Sequence, residues 1–129
     1  MSANSRLIMM IKTAVVGTGY VGLSTGVGLS ELGHAVACAD IDAKKIEILN
    51  TGKSPIAEAG MEDGMSRNVA AGRLTFTTDV LGAVSEASVV FLCLPTPQGN
   101  DGSADLSYIE AVAKQIGKHL LSGTVIVNK

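Results

Sequence analysis

The run Gly17-Thr18-Gly19-Tyr20-Val21-Gly22 carries the residue types and the spacing needed to hold a pyrophosphate. In such a turn the first glycine takes a backbone conformation closed to most side chains. The second leaves a ligand room beside the main chain, and the third lets the following helix pack against the strand. N–H groups at that helix start have no partner inside the helix and meet a negative charge favourably. The spacing alone is weak. It gains meaning here because a β-branched run, Lys12 to Val16, precedes it, and apolar or small residues at helical spacing, Tyr20 to Leu32, follow it. All six residues of the turn are therefore candidate cofactor contacts.

Asp40 closes a second apolar run, Ala35 to Ala39. A carboxylate there can accept hydrogen bonds from an adenosine ribose diol and would repel a 2′-phosphate, which favours NAD over NADP. The competing reading is that Asp40 only ends a strand. Asp42 reads first as a helix cap and second as a ligand contact. Lys45, one turn later, fits either a ribose edge or solvent. A flavin enzyme can use the same glycine turn, and a methyltransferase binds its cofactor at a comparable strand end, so both stay open. A P-loop is excluded, because no GxxxxGK[ST] is present.

Other chemistry finds little support. Cys38 and Cys93 end apolar runs and read as reduced structural thiols, a cofactor-side role for Cys93 being the alternative; no ligand spacing points to a metal. His34 reads as a turn residue and His119 as part of the last turn of the final helix, so neither is a candidate base and no residue is assigned as catalytic. Ten basic residues against twelve acidic ones give a net charge of −2, without a basic stripe, which disfavours nucleic acid as a partner. No apolar run reaches 18 residues and residues 1–11, which lead into the first strand, show no cleavage site. The expectation is a cytoplasmic chain with no membrane partner.

The elements that must position these residues alternate regularly. After the first two strands come a helix capped by Asp42 with Ile46 and Leu49 inward, a loop from Ser54 to Gly60, a helix from Met61 to Ala71 and a strand from Leu74 to Thr77. Asp79 caps a short helix ending near Ala87, and Val89 to Leu94 reads as a central strand. Pro95 to Asp105, rich in proline and glycine, is a loop at a strand's carboxyl end. Ser107 and Glu110 have capping-box spacing for a helix to about Leu121, and Thr124 to Asn128 is a last strand. Five strands alternating with helices in 129 residues predict one Rossmann-like, doubly wound α/β domain with three α/β/α layers and strand order 3-2-1-4-5.

On the runs "KTAVVGTGYVGLSTGVGLSELGHAV", "ADIDAKKIEILNTGKSPI", "AGRLTFTTD", "VVFLCLPTPQGNDGSADLSYIEAVAKQIGKHL" and "TVIVNK", the chain resembles the N-terminal domain of the UDP-glucose/GDP-mannose dehydrogenase family. The PTP loop with GSADLSYIE is far more specific than the glycine turn. The resemblance implies oxidation of the C6 hydroxyl of a nucleotide-linked hexose to a carboxylate with two NAD, an enzyme cysteine capturing the intermediate aldehyde before water releases the acid. UDP-glucose going to UDP-glucuronate is the leading reaction; GDP-mannose or a UDP-N-acetylhexosamine is the alternative, and a free-standing nucleotide-binding regulatory module is the reading outside enzymes. The resemblance assigns Gly17, Gly19 and Gly22 to the pyrophosphate, Asp40 and Lys45 to the adenosine ribose, and Leu94, Pro95, Thr96 and Pro97 to the middle of the cofactor. The Thr96 hydroxyl has local turn capping as its competing role.

The same resemblance exposes departures. Relatives commonly carry Tyr-Glu-Pro-Gly-Leu where this chain reads Ala57-Glu58-Ala59-Gly60-Met61, which removes a ring and a rigid proline. The nucleophilic cysteine of the family does not correspond to Cys38 or Cys93. The expectation is a cofactor domain over residues 12–129, cut before the linking helix and the substrate domain, inactive alone, and part of a homo-oligomeric enzyme whose nucleotide-sugar contacts lie in that second domain.

Overall fold

In a computed structural model of the chain, which describes residues 10–95, 107–120 and 122–129, five parallel strands form one sheet in the order β3-β2-β1-β4-β5. The elements are β1 Lys12–Val16, α1 Tyr20–Glu31, β2 Ala35–Ala39, α2 Ala43–Asn50, α3 Met61–Ala70, β3 Leu74–Thr77, α4 Val80–Ser85, β4 Val89–Leu92, α5 Ser107–Gly117 and β5 Val125–Asn128. This is the predicted doubly wound topology, with β1 in the middle, where the chain reverses direction across the sheet.

The alternation of side chains along β1 divides the core in two. Val15 faces one layer with Leu23, Val27, Val36, Cys38, Ile46, Leu49, Met65, Leu74 and Phe76, under α1, α2 and α3. Ala14 and Val16 face the other, with Val84, Val90, Leu92 and Ile116 under α4 and α5. Helix α1 lies close to the sheet because Gly26 stands where a Cβ would collide with the Cys38 sulfur. Buried Asn68 then ties α3 to the end of α1: its amide donates to Glu31 Oε1 at 2.8 Å and to the Gly64 carbonyl, and its oxygen accepts from Arg73. All of its polar capacity is used, as burial requires.

Element ends differ from expectation where pairing stops. The strand expected to reach Leu94 ends at Leu92, because Cys93 N–H makes the last bond to β1, at Val16 O, and beyond Val16 the neighbouring chain turns away at Gly17. Cys93 thus lies just past β4 instead of within it. Helix α5 ends at Gly117 instead of near Leu121, and His119 sits in the turn beyond it, its N–H bonded to Ile116 O. Helix α4 closes at Ser85 with a tight last turn, Ala87 N–H to Val84 O. His34 is a turn residue, and its Nδ1 accepts from Ile11 N–H at 3.2 Å.

Candidate cofactor site

The carboxyl ends of β1, β2, β3 and β4 open onto a cleft of about 790 Å³, inside the ~300–1,000 Å³ range of ligand pockets. Of the predicted site residues, Gly17, Thr18, Gly19, Tyr20, Val21, Asp40, Asp42, Lys45, Leu94 and Pro95 line it. Gly22 lies behind, where α1 meets the turn. Thr96 and Pro97 fall outside the described residues.

Three glycines do three different things. Gly17 has φ +103°, which side chains rarely adopt, and a Cβ there would run into the Cys93 carbonyl. Gly22 is confined from the other side, since its Cβ would meet the Gly17 carbonyl. Gly19 has nothing within 4 Å of a built Cβ, so its missing side chain leaves open room in front of the helix. Helix α1 has no side-chain cap from Gly19 and no acidic residue in its first turn, so no side chain of its own offsets the positive potential at its N-terminus. That is a cradle suited to a pyrophosphate.

Asp40 stands beside the turn, half-buried. Its Oδ2 accepts from Thr18 N–H at 2.9 Å and from the Thr18 hydroxyl at 2.7 Å; its Oδ1 accepts from Asp42 N–H at 2.9 Å. Burial works to raise this carboxyl, but the Asp42 and Thr18 donors and the nearby Lys45 charge outweigh it and hold the group below its ordinary value. Asp40 is therefore ionised at neutral pH, oriented, and left with lone pairs for further donors. Asp42 is the N-cap of α2, accepting from Lys44 and Lys45 N–H at 3.1 and 3.2 Å. Its cap role is observed, and it also edges the cleft.

Apart from Cys93, whose alternative reading was a cofactor-side role, the opposite wall was not read from the sequence. It comes from Thr78 to Leu81 at the start of α4, from Val112, Gln115 and Ile116 on α5, and from Cys93 and Lys129. The signal available was topological: ligands in such sheets gather where several strand ends converge, so residues following β3 and β4 were candidates by position alone. Cys38 and Cys93 are free thiols. Burial pushes Cys38 up to about 12, with a further contribution from Cys93, and burial also raises Cys93 against the opposing charge of Lys129. Neither is activated as a nucleophile. Among the described residues no group of His, Cys, Asp and Glu could hold a metal, and no helix is long and apolar enough to cross a membrane.

Residues 11–129 match the NAD binding domain of the UDP-glucose/GDP-mannose dehydrogenase family. The chain is 50% identical over 115 residues to the UDP-glucose 6-dehydrogenase YwqF of Bacillus subtilis, covering 89% of this chain and 26% of that one. Among solved structures, a UDP-glucose dehydrogenase from Pyrobaculum islandicum superposes with TM-score 0.89 at 35% identity, over 96% of this chain and 29% of that one. A ternary complex of GDP-mannose dehydrogenase from Pseudomonas aeruginosa gives 0.79 at 41% identity, over 83% and 24%. The chain thus spans about a quarter of the length of such relatives. With its order of strands, its glycine turn and its match over nearly every residue, the chain belongs to the UDP-glucose/GDP-mannose dehydrogenase family, as its NAD-binding domain.

Proposed function

We propose that residues 12–129 form the cofactor half of an NAD-dependent nucleotide-sugar 6-dehydrogenase, with UDP-glucose as the substrate of the whole enzyme. The observation that carries the cofactor assignment is the Asp40 carboxylate, ionised and fixed by hydrogen bonds to the glycine turn beside an open, uncapped helix start. A dinucleotide fits these residues: Gly17, Gly19 and Gly22 would hold the pyrophosphate at the start of α1, and Asp40 and Lys45 would hold the adenosine ribose. Leu94 and Pro95, at the edge of the same cleft, would follow the middle of the cofactor. When bound, NAD supplies the hydride acceptor for each of two successive oxidations at C6. The chain's own residues bind and orient it.

UDP-glucose is favoured by the 50% identity to a UDP-glucose 6-dehydrogenase. The 41% identity to a GDP-mannose dehydrogenase supports the second reading, in which the hexose carries GDP. The two free thiols suit a reducing compartment, and we place the whole enzyme, as a homo-oligomer, in the cytoplasm.

Calorimetric titration of the chain with NAD and NADP tests the cofactor reading. Wild type is expected to prefer NAD; Asp40→Ala should weaken NAD about tenfold (~1.4 kcal/mol) and narrow the preference, since an acceptor and a repelling charge leave together. Equal binding of the two cofactors by wild type would overturn the assignment. Substrate choice is read from NADH absorbance with UDP-glucose, GDP-mannose and UDP-N-acetylhexosamines, using a protein extended through a second domain beside the 129-residue chain. The short chain should give no NADH, because a cofactor site positions only one of the two reacting partners.

A further inference from the structure

Thr18 occupies the variable second position of the glycine turn and borders the cleft, yet it is 1% exposed. Both of its donors, hydroxyl and N–H, converge on one atom, Oδ2 of Asp40, across a sequence gap of 22 residues. The other oxygen is held separately, by Asp42 N–H. A carboxylate on a single-bonded stem turns freely unless both oxygens are held. Here the strand end fixes one oxygen through the backbone after it, and the glycine turn fixes the other.

We propose that Thr18 is a positioning residue for cofactor discrimination: its buried hydroxyl sets the orientation of the Asp40 carboxylate toward the adenosine ribose and so sharpens the choice of NAD over NADP. The proposal rests on the NAD reading above. The main-chain donor at position 18 survives any substitution, whereas the hydroxyl bond depends on the side chain. The hydroxyl also links the two halves of the dinucleotide site, since the turn that meets the pyrophosphate is bonded to the group that meets the ribose. Gly17 strengthens that link, its N–H bonded to Ala39 O at 2.8 Å, immediately before Asp40.

Thr18→Val is the informative variant, because it keeps the shape and β-branching of threonine and removes the hydroxyl alone. NAD affinity should fall roughly three- to tenfold, with the NAD:NADP ratio narrowing by a similar factor, the range expected for one hydrogen bond to a charged, half-exposed acceptor. Thr18→Ser, which keeps the hydroxyl, should restore the wild-type ratio. In an Asp40→Ala background, Thr18→Val should leave the ratio where Asp40→Ala put it, because the bond no longer has an acceptor. Thr18→Ala, which opens space instead of introducing an apolar group, must narrow the ratio as well, and it serves if the valine variant does not fold. A wild-type ratio in Thr18→Val, with Asp40→Ala still narrowing it, would overturn this role for Thr18 and leave the NAD reading intact. A ratio unmoved by Asp40→Ala would overturn that reading, and the role of Thr18 with it.

Discussion

The two walls of the cleft are built on opposite physical principles. On the β1–β2 side, Gly17 N–H donates to the Ala39 carbonyl and Thr18 and Asp42 donate to Asp40, all between 2.7 and 2.9 Å, and the wall is defined by the direction of donors and acceptors. On the other side, Leu94, Val112 and Ile116 present apolar surface continuous with the core beneath α4 and α5, and the wall is defined by shape. The first wall can tell one ribose from another, because a mismatched hydrogen-bonding group there would leave an ionised carboxylate unsatisfied or repelled. The apolar part of the second, set beside Thr78, Asp79, Gln115 and Lys129, contributes affinity with little selectivity. A dinucleotide site needs both.

The two walls meet at Gly17, and substitution there should have the largest effect. A side chain at φ +103° is strained and its Cβ is driven into the Cys93 carbonyl, backbone that cannot yield without moving β4. Gly17→Val is expected to lower stability by about 3 kcal/mol or more and to abolish NAD binding, read by urea unfolding and calorimetry. Gly19→Val is the contrasting case. Its backbone is ordinary, at φ −72°, and its Cβ would meet no protein atom. The fold should lose no more than about 1 kcal/mol, the order of a poor helix cap, while NAD affinity falls about 100-fold. If both variants unfold alike, or if Gly19→Val binds NAD normally, the division between seam and ligand room is wrong.

The first wall was legible in the sequence because its parts are local: a glycine turn between a strand and a helix, an aspartate ending the next strand, a second aspartate two residues on that caps a helix. Each has a mechanism that works within a few residues. The strand order followed from alternation of elements and the right-handed crossover, with no detail of packing. Of the second wall, Leu94 was anticipated through the family resemblance, and the helical part was illegible for the complementary reason. Val112 and Ile116 look like the inward stripe of any amphipathic helix, and only the packing of α5 over β1 and β4 turns that stripe into a cleft lining. Thr18 was read as part of the pyrophosphate turn; that its hydroxyl turns inward to Asp40 depends on β1 and β2 being neighbours. The same holds for the Asn68 network, in which Glu31 lies 37 residues from Asn68 along the chain.

The smallest expected effect is the response to acid, and it sharpens the account of the polar wall. Burial by itself would raise the Asp40 carboxyl, but the donors from Asp42 and Thr18 and the charge on Lys45 lower it below its ordinary value. A carboxyl whose folded pKa is depressed binds fewer protons folded than unfolded at intermediate acidity. Its contribution to stability is present above the unfolded value, about 3.9, and is lost as pH falls through the folded one. The same sign governs the ligand, because an ionised carboxylate accepts from the ribose diol and a protonated one must give up an acceptor site. NAD affinity should therefore stay nearly flat from pH 7 to pH 5 as far as Asp40 is concerned. Comparison with Asp40→Asn isolates that contribution, since Asp42 and Asp79, the other acids lining the cleft among the described residues, are present in both proteins. The difference in NAD affinity between the two should hold constant over that range and close only below about pH 4. A difference that fades between pH 7 and pH 5 would mean that Asp40 protonates easily, and the three donors drawn to it would then not be holding it as the geometry requires.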